Sequence, residues 1–205
     1  MNPVDEAAQR HDALAAARYC ATLGQRPVTV WLTGLSGAGK STLARNVRER
    51  LRELGKMCCM LDGDALRKGL CSDLGFTPDE RHENIRRAAE VARLLNEQGL
   101  IVIASFISPY RRERSLARSI VGPSRFVEVY VNTPVAVCEA RDPKGLYRRA
   151  RAGELRGFTG VDAPYEPPAS PSIVVDTGAR DRTLCTEQLL TRLLPMIVRP
   201  VRSVA

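Results

Sequence analysis

The stretch VTVWLTGLSGAGKS (28–41) decides how the rest of the chain is read. Its first six residues are β-branched or apolar and predict a buried strand. The next eight fit the G-x-x-x-x-G-K-[ST] pattern, with Gly34, Gly39, Lys40 and Ser41 in the required places. Leu43, Val47, Leu51 and Leu54 then recur at helical spacing, which predicts a helix over 42–54. Strand, glycine loop and helix arrive in the order a phosphate site needs. Glycines let backbone N–H groups turn inward around phosphate oxygens, and the helix start adds a partial positive charge there. Gly34, Leu35, Ser36, Gly37, Ala38, Gly39, Lys40, Ser41 and Thr42 are therefore the candidate ATP contacts. Lys40 can reach the β- and γ-phosphates, and the Ser41 hydroxyl can ligand Mg²⁺. A glycine-rich turn with a surface lysine is the plainer reading, and the flanking strand and helix speak against it. The loop predicts a nucleotide and leaves the phosphate acceptor open.

Outward from the loop, strands and helices alternate. MCCML (57–61), LIVIAS (100–105), FVEVYV (126–131) and SIVVD (172–176) read as short buried strands. Helices are expected over 65–70, from the Thr77-Pro78-Asp79 start to about Gln98, over 111–121, after Pro134 and over 182–198. Continuous apolar strands alternating with helices predict an α/β fold, a parallel sheet with helices on both faces. Residues 1–24 read as an Ala-rich arm and 25–205 as a single domain. Residues 142–170, rich in Gly, Pro and charge, read as a mobile lid rather than core.

Ligands of such sheets bind beyond the carboxyl ends of the strands, which directs attention to Gly34–Ser41, Asp62–Asp64, Phe106–Tyr110 and Asn132. A carboxylate at Asp62 can orient or deprotonate an attacking hydroxyl, or hold the Mg²⁺ shell. Asp-Gly-Asp is also good turn chemistry, and both readings stand at this point. Arg67, Arg81, Arg86 and Arg87 follow; arginine forks suit phosphate and sulfate oxygens, while a solvated face is their ordinary fate. Phe76 and Phe158 fall in loops, where an aromatic covers core or stacks on a base.

Composition narrows the class. The 205 residues carry a net charge of +8. Residues 111–118 hold four Arg against one Glu, and 141–156 hold six Arg or Lys against two acids. Aromatics do not interleave these runs, so a phosphate-rich small substrate accounts for them and no nucleic-acid partner is expected. No apolar run approaches the ~20 residues of a membrane helix, and no secretory h-region is visible near the start; a cytoplasmic location is expected. Six cysteines without a C-x-x-C pair and two histidines make a structural zinc site unexpected.

Taken together, VWLTGLSGAGKSTLA (30–44), LDGDALRKGL (61–70), DLGFTPDERHENIRRAAEVARLL (73–95), IVIASFISPYRRER (101–114) and RDPKGLYRRARAGELRGFTGVDAPYEPP (141–168) resemble the adenylylsulfate kinase (APS kinase) family. The phosphate loop is shared by many kinases; the FISPYR, RDPKGLY and GFTG blocks beside ENIRR are far more specific. The resemblance implies a P-loop kinase fold and the reaction of ATP with adenosine 5′-phosphosulfate (APS), phosphorylated on its ribose 3′-hydroxyl to give 3′-phosphoadenosine 5′-phosphosulfate (PAPS) and ADP. It implies Asp62 as the catalytic carboxylate. Arg67, Phe76, Arg81 and Asn84 correspond to the APS-binding set, with Ile107, Ser108 and Pro109 lining the same pocket. Lys144, Leu146 and Phe158 belong by resemblance to the lid. Ser108 matches the serine that the family description marks as a phosphoserine intermediate, whereas P-loop kinases ordinarily transfer the γ-phosphoryl group directly and in line. A homodimer is likewise implied. One departure is visible: Ala65 stands where an Asn usually follows DGD. No sulfurylase or GTPase domain is expected alongside. The adenine of ATP has no motif, and Arg141 and the loop near Thr177 are its candidates.

Overall fold

The computed structural model describes residues 18–198. Most of the expected N-terminal arm lies outside them. Five strands form one all-parallel sheet: β1 (Thr29–Thr33), β2 (Cys58–Asp62), β3 (Ile101–Ser105), β4 (Phe126–Asn132) and β5 (Ile173–Asp176), in the spatial order β2-β3-β1-β4-β5. The helices are α1 (Lys40–Glu53), α2 (Gly63–Leu66), α3 (Pro78–Glu97), α4 (Arg111–Val121), α5 (Val135–Arg141), α6 (Leu146–Arg151) and α7 (Arg182–Ile197).

Side chains alternate across the sheet. Val30 and Leu32 of β1 point into the layer under α1 and α7, where Val47, Leu51, Leu189 and Leu193 are also fully buried. Trp31, between them, points into the opposite layer with Ile85, Ala88 and Ala92 of α3 and Ala117 of α4. The small side chains of α3 let that helix lie close against the sheet. Trp31 stacks on Phe106 with ring centroids 4.9 Å apart.

Buried polar side chains tie the elements together. Gln25 is wholly buried; its Nε2 donates to Met57 O and Gly99 O, each at 2.8 Å, and its Oε1 accepts from Met57 N at 2.9 Å. Thr29 Oγ1 donates to Asn96 Oδ1 at 2.7 Å. A capping box starts α3: the Thr77 side chain accepts from Glu80 N, and the Glu80 carboxylate accepts from Thr77 N.

Three sequence expectations change. Strand β2 runs to Asp62, so the carboxylate sits on the strand itself, paired in register with Ser105 of β3. The helix expected over 65–70 is the single turn Gly63–Leu66, and 67–74 is a series of turns. The 142–170 segment is not apart from the core. It holds α6, and Tyr147 and Phe158 are buried in contact with each other, edge to face at 5.0 Å. Two large aromatic side chains gain more from burial than the surrounding glycines and prolines lose.

Candidate active site

All five strands end on one edge, at Thr33, Asp62, Ser105, Asn132 and Asp176. β1 and β2 are separated by β3, so the loop after β1 and the carboxylate ending β2 face one another across the end of β3. Ser41 Oγ donates to Asp62 Oδ2 at 2.7 Å and lies 3.2 Å from Ser105 Oγ. Asp62 Oδ1 accepts from Asp64 N at 3.0 Å, which caps α2. Asp62 thus caps a turn and at the same time lines the cavity beside the phosphate loop, so the turn reading of Asp-Gly-Asp leaves the functional one open.

The phosphate loop uses left-handed backbone at Gly37 (φ 73°) and Gly39 (φ 90°), and Gly39 leads into α1. At Gly37 a Cβ would lie 2.7 Å from Cys138 O, so only glycine fits against α5. Two threonines beyond β4 and β5 hold the loop from outside. Thr177 Oγ1 donates to Ala38 O at 2.7 Å, and Thr133 Oγ1 lies 2.6 Å from Thr177 Oγ1. Lys40 is only 8% exposed, and its Nζ donates to Leu35 O at 2.7 Å. Burial pulls its pKa down to about 8, against the opposing pull of Asp62 and Asp64.

A cavity of about 910 Å³ runs along this edge. Ser36, Gly37, Gly39, Lys40, Ser41, Thr42 and Asp62 line one part of it; Arg67, Phe76, Arg81, Asn84, Ile107, Ser108, Pro109 and Lys144 line the other. Of the remaining sequence candidates, Gly34, Leu35 and Ala38 belong to the loop backbone without lining the cavity. Leu146 and Phe158 do not line it either; both pack into the core beneath the lid. Arg86 and Arg87 turn away to Glu83 and Asp73.

The second part of the cavity gathers the arginines and aromatic side chains that follow β2 and β3. The Arg67 guanidinium lies 4.2 Å from the Phe76 ring centroid and donates to Leu74 O and Gly75 O. Phe76 is 64% exposed, a large apolar face left at the cavity mouth. Arg81 reaches the lid, donating to Gly157 O at 2.9 Å and to Thr159 Oγ1 at 3.4 Å. Lys144 pairs with Asp64 across the mouth. Ser108 is 2% exposed with φ 38°, and its Oγ accepts from Trp31 Nε1 at 3.1 Å. Arg114, buried under the FISPY loop, donates to Ser108 O, Glu128 Oε1 and Glu166 O. Arg141 donates to Thr177 O beside the phosphate loop.

Sequence reasoning did not single out Trp31, Ser105, Arg114, Thr133 or Glu113. Trp31, the only tryptophan in the sequence, reads as ordinary strand core, and Ser105 and Thr133 are common in type; all are brought to the site by tertiary packing, and Arg114 and Glu113 were visible merely as members of a basic run. Among the described residues no group of three or more His, Cys, Asp or Glu side chains could hold a metal. Magnesium needs no such cage. It is ordinarily held by one or two protein oxygens, substrate phosphates and waters, and Ser41 with Asp62 beside the phosphate loop fits that donor set.

This sheet, phosphate loop and strand-end carboxylate define a P-loop kinase. The family model for adenylylsulphate kinase matches residues 26–176. The adenylyl-sulfate kinase of Enterobacter sp. (strain 638) is 52% identical over 180 residues, covering 88% of this chain and 85% of that protein. That of Aeromonas hydrophila is 54% identical over 170 residues, covering 83% and 86%. The structure of a Mycobacterium tuberculosis APS kinase in complex with AMPPNP and APS superposes with a TM-score of 0.80 at 44% identity, covering 82% of this chain and 98% of that one. The chain belongs to the adenylylsulfate kinase family.

Proposed function

We propose that the chain transfers the γ-phosphoryl group of ATP to the ribose 3′-hydroxyl of APS, forming PAPS and ADP. The observation that carries this reading is that one continuous cavity holds both sets of candidate groups. A phosphate loop and Asp62 stand at one part of it, and two arginines, an exposed phenylalanine and a buried asparagine at the other.

The loop amides and Lys40 bind and orient the β- and γ-phosphates, and Lys40 balances charge that develops on the transferred group. Asp62 accepts a hydrogen bond from the attacking 3′-hydroxyl and takes its proton as the new bond forms. Magnesium, held by Ser41 and Asp62, supplies charge neutralisation when bound. Arg67 and Arg81 offer forked donors to the phosphosulfate oxygens. Phe76 offers a face for the acceptor's adenine, and Arg141 with the Thr177 loop a wall for that of ATP. Lys144 reaches from the lid, a segment of about 142–170 within one kinase domain spanning 25–205.

Direct transfer is favoured over a phosphoserine route by the surroundings of Ser108. Its hydroxyl is buried, and its only side-chain partner among the described residues is a Trp31 N–H donor, which cannot act as a base. The family resemblance further supports a magnesium-dependent cytoplasmic enzyme acting as a homodimer; sedimentation of the purified chain tests the last point. Among the described residues no helix is long and apolar enough to cross a membrane.

The test is an assay of ADP and PAPS formation with ATP and APS, run beside gluconate and AMP as alternative acceptors. APS-dependent ADP release with equimolar PAPS is expected. Turnover of gluconate or AMP but not APS would reject the reading.

A further inference from the structure

Three enclosed side-chain oxygens among the described residues have no hydrogen-bond partner: Asn84 Oδ1 and both carboxyl oxygens of Glu113. Buried polar atoms are nearly always paired, so three orphans on the wall of one cavity call for an explanation. Asn84 lies in α3 and Glu113 in the first turn of α4, two helices packed against each other, and both contribute to the acceptor-side wall of the cavity. Glu113 is wholly buried and Asn84 is 5% exposed.

We propose, resting on the acceptor reading above, that Glu113 is a positioning residue kept as a neutral acid, whose O–H donates to Asn84 Oδ1 and so holds the Asn84 amide with Nδ2 toward the acceptor. One proton then partners atoms on both residues. The opposite state is costly. An ionised Glu113 would be a buried charge with no side-chain hydrogen bond, faced at close range only by the Tyr110 backbone N–H, and would draw Nδ2 inward, turning Oδ1 toward an anionic phosphosulfate. Nδ2 is not among the enclosed orphan atoms, in keeping with an amide that turns its donors to the cavity.

The groups facing Glu113 are the Tyr110 backbone N–H and Arg112 at the start of its own helix and Arg81 and His82 on α3, all of which favour the ionised form. Burial outweighs them and raises the carboxyl above its ordinary range. A raised acid loses its proton as pH rises through its folded pKa, so acceptor affinity falls in that direction while ATP affinity does not follow it.

The experiment compares Glu113→Gln, Glu113→Ala and wild type. Glutamine keeps the shape and an N–H donor for Asn84 Oδ1. It should rescue the KM for APS to within about twofold and remove the pH dependence that Glu113 adds. Alanine leaves the Asn84 oxygen unpaired and should raise that KM about tenfold, with kcat and the KM for ATP little changed. In an Asn84→Ala background, Glu113→Ala should add nothing further, because its effect runs through the amide. Melting curves establish that each variant is folded. Independently of turnover, the infrared spectrum of wild type should show a protonated-carboxyl band that persists above the pH at which exposed glutamates ionise and that Glu113→Gln lacks. Absence of that band, or a Gln variant as impaired as Ala, would overturn the proposal. A wild-type enzyme inactive on APS would instead reject the acceptor reading and leave the infrared result standing.

Discussion

Ser41 Oγ and Asp62 Oδ2 meet at 2.7 Å across the end of β3, although 21 positions separate them in the chain. The contact joins the last motif residue of the phosphate loop to the carboxylate at the end of β2. It places a hydroxyl and a carboxylate side by side next to the phosphate loop, as the proposed transfer requires.

Asp62→Asn should nearly abolish transfer at unchanged ATP affinity, because the amide cannot take the 3′-hydroxyl proton. Ser108→Ala should mainly raise the KM for APS and keep a measurable rate, since its Oγ accepts from Trp31 and shapes the acceptor wall. Steady-state kinetics on both variants, with chiral γ-phosphate, checks this. Inversion at phosphorus is expected; retention with a dead Ser108→Ala enzyme would establish two displacements through Ser108.

Lys40→Ala should lower turnover by at least ~10²-fold with the fold intact, the scale of removing one preorganised donor. The free enzyme also makes a pH prediction. Burial brings Lys40 down to about 8, so its charge is present below that pH and is lost as pH rises through it. Calorimetric titration with a non-hydrolysable ATP analogue should show affinity falling above about pH 8. A flat profile would mean that the loop amides alone carry phosphate binding.

Gly37→Ala should destabilise the fold by about 1–3 kcal/mol and weaken nucleotide binding together. The residue has φ 73°, and a Cβ there would lie 2.7 Å from Cys138 O in α5. Thermal melting and ATP-analogue binding measure the two effects, and a melting curve like that of wild type would show that α5 moves aside without cost.

The lid makes a graded prediction. Between α6 and Phe158, residues 152–157 are mainly exposed, whereas Tyr147 and Phe158 are buried. Limited proteolysis should cut at 152–157 and not inside α6, and ADP with APS should slow that cut. The exposed Lys144–Asp64 pair contributes little to stability, which leaves Lys144 free to exchange Asp64 for substrate oxygens. Equal cutting with and without ligands would count against closure.

Much was legible in the sequence because it was local. The glycine and lysine spacing of 34–41, the Thr77–Glu80 cap and the apolar runs of five strands follow from backbone preference and periodicity, which neighbours in the chain set by themselves. The parallel sheet and the family follow from the same stretches. Tertiary structure alone decided which of these meet. β3 inserted between β1 and β2 brings Ser105 and Asp62 into register and to Ser41. The same packing folds Tyr147 and Phe158 of the charged lid segment into the core, lays Trp31 under Ser108, and encloses Glu113 and Asn84 without partners. None of these has a sequence period. They depend on long-range strand pairing and on apolar burial summed over the whole fold, and a polar residue's environment is fixed only when distant elements close around it.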